Sequence, residues 1–231
     1  MCFCILNKYK AKVFELVQEE QNLMQEKLNL MMSRPGKLIV FEGIDGAGKT
    51  TVHKALKEKM KDRDDIVFSR EPTDGKYGKR IKEALRGANV PAEELLFLFM
   101  QDRIEHVKSM VMPSLKEGKV VVLDRYYLST AAYQASELFS VNELLVLNGL
   151  FSPTPNLVVY FEIPVEKALE RLRSRGDVLS AFEKEEKLKK VAENYEWILS
   201  YFDVKRINAL LSIEDLVNEV EKIVVDFING R

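Results

Sequence analysis

Apolar positions along the chain fall into short continuous runs, separated by longer stretches in which they recur every three or four residues. The runs KLIVFEG (37–43), DIVFSREP (65–72), KVVVLDRY (119–126) and NLVVYFEI (156–163) have the length and branched content of buried parallel strands. Between them the spacing predicts helices over about 49–61, 77–87 and 92–116, the last with Pro113 near its end, and around 127–150. Pro164 opens a further helix, as proline does at a first turn. A charged stretch, 171–190, leads into a helix ending near Tyr201, and a weak strand at 203–208 and an amphipathic helix at 213–228 close the chain. Strands alternating with helices imply an α/β fold: a parallel five-stranded sheet with helices on both faces. No internal repeat or low-complexity linker interrupts residues 35–231, which read as one domain.

Residues 1–34 stand apart. Val13, Val17, Met24, Leu28 and Met31 recur at roughly helical spacing among Lys, Glu and Gln, predicting an amphipathic N-terminal helical extension. Its apolar face needs a partner, in the domain or in another subunit. Translation beginning at Met31 or Met32, with the extension incidental, fits the sequence equally well. The opening MCFCILNKYK has neither the apolar length nor the small-residue cleavage site of a signal peptide.

Composition narrows the class. The chain has 231 residues, of which 46% are hydrophobic and 31% charged, and a formal net charge of −1. That describes an ordinary globular protein and argues against a general nucleic-acid binder. No stretch of about 18 or more apolar residues marks a membrane span. Cys2 and Cys4 are too few and too close for a disulfide framework, which suits a cytoplasmic location.

The chemistry begins at FEGIDGAGKTT. Residues Gly43, Ile44, Asp45, Gly46, Ala47, Gly48, Lys49 and Thr50 fit GxxxxGK[ST] without a mismatch, between an expected strand and an expected helix. Glycines let successive N–H groups converge on one anion at a helix N-terminus. Lys49 supplies charge for the β- and γ-phosphates of ATP, and the Thr50 hydroxyl is a ligand for Mg2+. The expected ATP-binding set is residues 43–50 with Thr51. Asp45 places a carboxylate beside the transferring group, where a bystander acid would be repelled, so it grips a hydroxyl or the metal. The absence of an NKxD-like tetrad argues against a guanine-nucleotide switch.

Together with this loop, REP (70–72), FMQDRIEH (99–106), PSLKEGKVVVLDRY (113–126), STAAYQ (129–134) and PNLVVYFEIP (155–164) resemble the thymidylate kinase family. The resemblance runs from about Lys37 onward and is most specific at DRYxxSxxAYQ. It implies a P-loop NTPase-type kinase that carries the γ-phosphoryl group of ATP to dTMP, with Mg2+, as a homodimer. By the same resemblance, Asp124 and Arg125 serve the metal and the phosphates, and Arg70 holds the dTMP phosphate. Phe99 stacks on thymine, although periodicity alone favours a core position for it, and Arg103 meets the base or monophosphate. Thr130 and Gln134 contact the base edge, Tyr133 crowds the sugar 2′ position, and Asp45 is aimed at the 3′-hydroxyl. His106 reads as structural.

Two departures from the family pattern stand out. Many bacterial members carry Asp-Arg-x-Glu in the lid, around 171–190, where this chain reads Ser180-Ala181-Phe182-Glu183. Another branch places an arginine in the phosphate loop, and this loop has none. Arg171, Arg173 and Arg175 are the lid candidates, with Arg173 and Arg175 favoured for catalysis and Arg171 read in preference as a solvated helix position. REPT replaces the commoner REPG, with no consequence legible in sequence. A deoxynucleoside kinase or a broader pyrimidine monophosphate kinase would share most of these residues. Arg70 and Arg103 speak for a phosphorylated acceptor. A regulatory subunit that has lost the chemistry is opposed by intact Lys49, Thr50, Asp124 and Arg125.

Overall fold

In the computed structural model, residues 36–174 and 181–230 are described. The expected helix within 1–34 and the lid residues Arg175, Gly176, Asp177 and Ser180 lie outside them. Five strands form one parallel sheet: β1 (Lys37–Glu42), β2 (Ile66–Arg70), β3 (Val120–Asp124), β4 (Leu157–Glu162) and β5 (Val204–Asn208), in the order β2-β3-β1-β4-β5. The helices are α1 (Lys49–Lys59), α2 (Lys76–Leu85), α3 (Ala92–His106), α4 (Met112–Lys116), α5 (Tyr127–Gln134), α6 (Val141–Phe151), α7 (Val165–Arg173), α8 (Ala181–Leu199) and α9 (Ile213–Ile228). A π-helical turn, Val107–Val111, joins α3 to α4, so the expected helix over 92–116 is one long rod.

The central strands read as unbroken apolar runs because both sheet faces are covered. Alternation along β1 assigns the faces. Phe41 packs edge-on against His53 of α1, whereas Glu42 points to the opposite side, toward Ser129 of α5 and Tyr195 of α8. The expected helical stretch 127–150 is two helices. Ser140 and Glu143 form a reciprocal capping box that restarts the chain as α6. Among the described residues no helix is long and apolar enough to cross a membrane.

Topology sets the site. β1 lies between β3 and β4, and its carboxyl end is the point where successive connections leave in opposite directions. In open α/β sheets that crevice is where ligands bind. Register brings Phe41 opposite Asp124, and Arg70 opposite Asp124 from the other side. The tips of β1, β2 and β3 therefore present Glu42, Arg70 and Asp124 on one rim.

Candidate active site

The loop between β1 and α1 folds over residues 43–48. Gly43 and Gly46 have φ of 144° and 85°, and a Cβ on Gly46 would lie 2.6 Å from the Ala168 carbonyl oxygen of α7. Only glycine accepts that backbone at that approach. Lys49, 4% exposed, donates to the carbonyls of Gly43 and Ile44 at 2.8 Å each, so its ammonium lies within the loop's curl. Burial, reinforced by the nearby Arg125 charge, pushes the Lys49 ammonium down to about 7, against the opposing pull of Asp45, Asp124 and Glu42.

Thr50, in the first turn of α1, donates from Oγ1 to Asp124 Oδ2 at 2.6 Å. Asp124 is buried at the tip of β3, and its Oδ1 has no hydrogen-bond partner among the described residues. A hydroxyl and a carboxylate with a spare oxygen are the hard donors that Mg2+ takes beside phosphates. No group of three or more His, Cys, Asp or Glu among the described residues could cage a metal alone. The pair therefore fits a metal held jointly with a nucleotide.

Arg125 follows with φ of 70°, in the left-handed region. Its guanidinium pairs with Asp45 Oδ1, donates to Ser129 Oγ at 3.0 Å, and lies 5.3 Å from the centre of the Tyr133 ring. Burial raises the Asp45 carboxyl, but the Arg125 and Lys49 charges outweigh it and hold Asp45 below the usual carboxylate range. Tyr133 OH accepts from the Asp45 backbone N–H at 2.8 Å, tying α5 to the phosphate loop.

A pocket opens next to this loop, lined by Asp45, Pro72, Leu85, Phe99, Arg125, Ser129, Thr130, Tyr133 and Gln134. Phe99 is half-buried there rather than lost in the core. Arg103, one helical turn further, is 1% exposed and turns beneath the wall. Its Nε and Nη2 donate to Glu71 Oε2 at 2.8 and 2.6 Å, Nη1 donates to Asn148 Oδ1 at 2.5 Å, and Nη2 also reaches Thr130 Oγ1 at 3.0 Å. Glu71 is buried too, and its Oε1 lies 3.0 Å from His106 Nδ1. Burial raises the Glu71 carboxyl, and Arg103 and His106 bring it below its ordinary value. Glu71 thus meets the Arg103 charge internally, and Arg103 acts on the pocket through Thr130. Removing one partner of such a buried pair typically costs about 3–5 kcal/mol.

Arg70 is exposed at the rim, with Asp74 Oδ1 3.5 Å away. Arg173, exposed on the last turn of α7, is not brought to the loop. Arg171 is: its Nη2 donates to the Ala209 carbonyl at 2.8 Å, and its Nη1 is 3.4 Å from that of Gly46. It is a half-buried tie between α7 and the phosphate loop, not a solvated position.

Three groups escape the sequence reading. Asp102, 2% exposed, accepts from the Thr73 backbone N–H at 2.8 Å and from its hydroxyl at 2.5 Å, so the threonine of REPT fastens the loop after β2. Glu71 and Glu42 are fully enclosed carboxylates at strand ends. An acid inside an apolar run, as in VFEG, is the signal that could have marked Glu42, since a buried charge demands partners. Its pKa is raised by burial, against the opposing effects of Ser129, Arg125, Tyr195 and Lys49.

Comparison with known proteins agrees with this geometry. A family model described as thymidylate kinase matches residues 41–220. A thymidylate kinase of Desulfotalea psychrophila is 44% identical over 193 residues, covering 82% of this chain and 95% of the relative. A probable thymidylate kinase of Pyrococcus horikoshii is 40% identical over 198 residues, covering 82% and 96%. A thymidylate kinase of Akkermansia muciniphila is 42% identical over 153 residues, covering 66% and 74%.

Proposed function

The chain belongs to the thymidylate kinase family, and from that premise we propose how its residues divide the work. It is an ATP-dependent nucleoside monophosphate kinase that transfers the γ-phosphoryl group of ATP to dTMP, giving dTDP and ADP on the way to dTTP. One observation carries the assignment of residues: Asp45 belongs to the phosphate loop and also lines the adjoining pocket. Donor and acceptor phosphates therefore meet at one place.

Backbone N–H groups of residues 43–51 cradle the ATP phosphates at the N-terminus of α1. Lys49 leaves its carbonyl partners to neutralise the β- and γ-phosphates. Thr50 and Asp124 hold Mg2+, which supplies Lewis-acid neutralisation of phosphate charge when bound. Phe99 stacks on the thymine ring, and Gln134 and Thr130 meet its edge. Arg103 can only donate to Thr130, so the threonine can offer its own proton to an acceptor on that edge. Tyr133 limits the space at the sugar 2′ position, and Asp45 holds the 3′-hydroxyl. Arg70 binds the acceptor phosphate, and Arg125 spans both phosphate groups with a planar fork. A phosphate oxygen is already a nucleophile, so in-line transfer needs no general base and no covalent intermediate. Arg173 and Arg175 complete the charge neutralisation from the lid.

The family's homodimer is extended to this chain, acting in the cytoplasm. Val146, 56% exposed on α6, supplies apolar surface for a subunit contact, and sedimentation velocity tests it. The activity is tested by ADP release from ATP and Mg2+ with dTMP, dUMP, dCMP, UMP, AMP and thymidine offered separately. Strong turnover with dTMP, weaker with dUMP and little with the others is expected. Silence with dTMP overturns the reading.

A further inference from the structure

Arg125 is the one non-glycine residue with positive φ among the described residues. Such a backbone costs on the order of 1–3 kcal/mol and persists only where its surroundings over-determine it. Here the surroundings are the tip of β1. The Arg125 N–H donates to the Phe41 carbonyl at 3.0 Å. The next strand residue, Glu42, accepts at Oε1 from the N–H groups of Tyr126 at 2.9 Å and Ser129 at 3.3 Å. Helix α5 has no side-chain cap of its own, so Glu42 caps it from another strand and fixes the chain just past Arg125.

The same carboxylate also reaches the guanidinium. Ser129 Oγ donates to Glu42 Oε2 at 2.6 Å and accepts from Arg125 Nη1 at 3.0 Å. The hydroxyl has one proton, and Glu42 directs it away from Arg125, leaving a lone pair to receive Nη1. Tyr195 OH donates to Glu42 Oε2 at 2.9 Å and closes the cage from α8. Glu42 is 0% exposed and both its oxygens are taken by donors, so it cannot touch substrate. A fully buried, fully satisfied carboxylate with two routes to one arginine is more than packing requires.

We propose that Glu42 is a positioning residue for phosphoryl transfer: it holds Arg125 in its left-handed backbone and, through Ser129, aims the guanidinium at the phosphates. This rests on the assignment of Arg125 to the phosphates made above. Misplacing a reacting or stabilising group by about 1 Å can cost roughly 100-fold in rate, which sets the expected size of the effect.

The test is steady-state kinetics with dTMP and ATP, alongside Tm, on Glu42→Gln, Ser129→Ala, Arg125→Gln and the double variant Glu42→Gln/Arg125→Gln. Val224→Ala, a cavity variant on α9, serves as a control of lowered Tm with intact kcat. Glu42→Gln is expected to lower kcat by about 100-fold and Ser129→Ala by about 10-fold, with each KM changing less than about threefold. In the Arg125→Gln background, Glu42→Gln is expected to add nothing, because it acts only through that arginine. If kcat instead survives in Ser129→Ala, or the Glu42 and Arg125 effects multiply independently, the positioning role is overturned while Arg125 keeps its place. If Arg125→Gln retains full kcat, the underlying assignment fails instead. Should Glu42→Gln not fold, Ser129→Ala decides alone.

Discussion

Thr50 Oγ1 donates to Asp124 Oδ2 at 2.6 Å, and the other oxygen of that buried carboxylate has no hydrogen-bond partner among the described residues. An unsatisfied buried acceptor costs about 1–3 kcal/mol, which a purely structural aspartate would not sustain. Asp124→Asn is therefore expected to keep or raise Tm while lowering kcat by about 100-fold or more, since charge neutralisation in phosphoryl transfer is worth several orders of magnitude. Activity measured against Mg2+ concentration checks this: the variant should require far more metal, and chelation should silence both proteins. A variant with normal Mg2+ dependence would remove Asp124 from the metal site.

Lys49 gives a second separation of function from stability. Its ammonium is pushed down to about 7 by burial, whereas the unfolded chain titrates near the ordinary value of 10.5. The unfolded state thus binds more protons between those values, so this group's destabilising effect is complete below pH 7 and fades as pH rises toward 10.5. Lys49→Met is expected to lower kcat by at least about 1,000-fold. Its Tm, relative to the unaltered protein, should be more favourable at pH 6 than at pH 9. A Tm difference independent of pH would show that the ammonium is not strained by burial.

The loop after β2 yields a third prediction. A Cβ on Gly78 would lie 2.2 Å from the Thr73 carbonyl oxygen and 2.8 Å from Asp102 Oδ1. Gly78→Ala must therefore displace the clasp between Thr73 and Asp102 that fixes the segment carrying Arg70 and Pro72. The expected result is a KM for dTMP raised by about 10-fold or more with KM for ATP little changed, a loss of roughly 1.4 kcal/mol per tenfold in acceptor binding. Thr73→Val, which removes the hydroxyl but keeps the shape, should show the same pattern more weakly. Equal effects on both substrates would mean that the clasp stabilises the whole domain and not the acceptor side.

The contrast between what was legible and what was hidden follows from the range of the interactions. The strands β1, β3 and β4 could be read because both sheet faces are covered, leaving unbroken apolar runs that end at the ligand crevice. The phosphate loop was legible because its glycines and lysine serve one local geometry. The sequence predicts more than one helix over 127–150 but does not place the break between α5 and α6, because apolar residues such as Leu138 and Phe139 continue through it, although Ser140 and Glu143 mark the restart. Phe99 and Arg103 share a helix face by spacing, yet only Phe99 reaches the pocket, because Glu71 draws Arg103 inward. Glu42 depends on Ser129 and Tyr195, which lie 87 and 153 residues away in the chain. Sequence periodicity carries no record of such partners.

The arginines of α7 supply the final prediction, because the sequence reads Arg171 as a solvated helix position and the structure ties it to the phosphate loop. Arg171 bridges the carbonyls of Ala209 and Gly46, and the Gly46 backbone already packs on α7 at Ala168. Arg173 is exposed two residues on and has neither contact. Arg171→Met should leave two carbonyls near the phosphate loop without that donor, lowering Tm by several degrees, as expected for a loss of about 1–2 kcal/mol. It should raise KM for ATP more than it lowers kcat, since the loop that cradles the nucleotide loses its support. Arg173→Met should leave Tm unchanged and lower kcat at saturating ATP and dTMP, because a lid arginine acts in the transition state and not in the fold. Measuring Tm and both kinetic constants for the two variants side by side separates the roles. An Arg173→Met enzyme with full kcat would exclude Arg173 from the reaction and leave Arg175 as the lid residue to test.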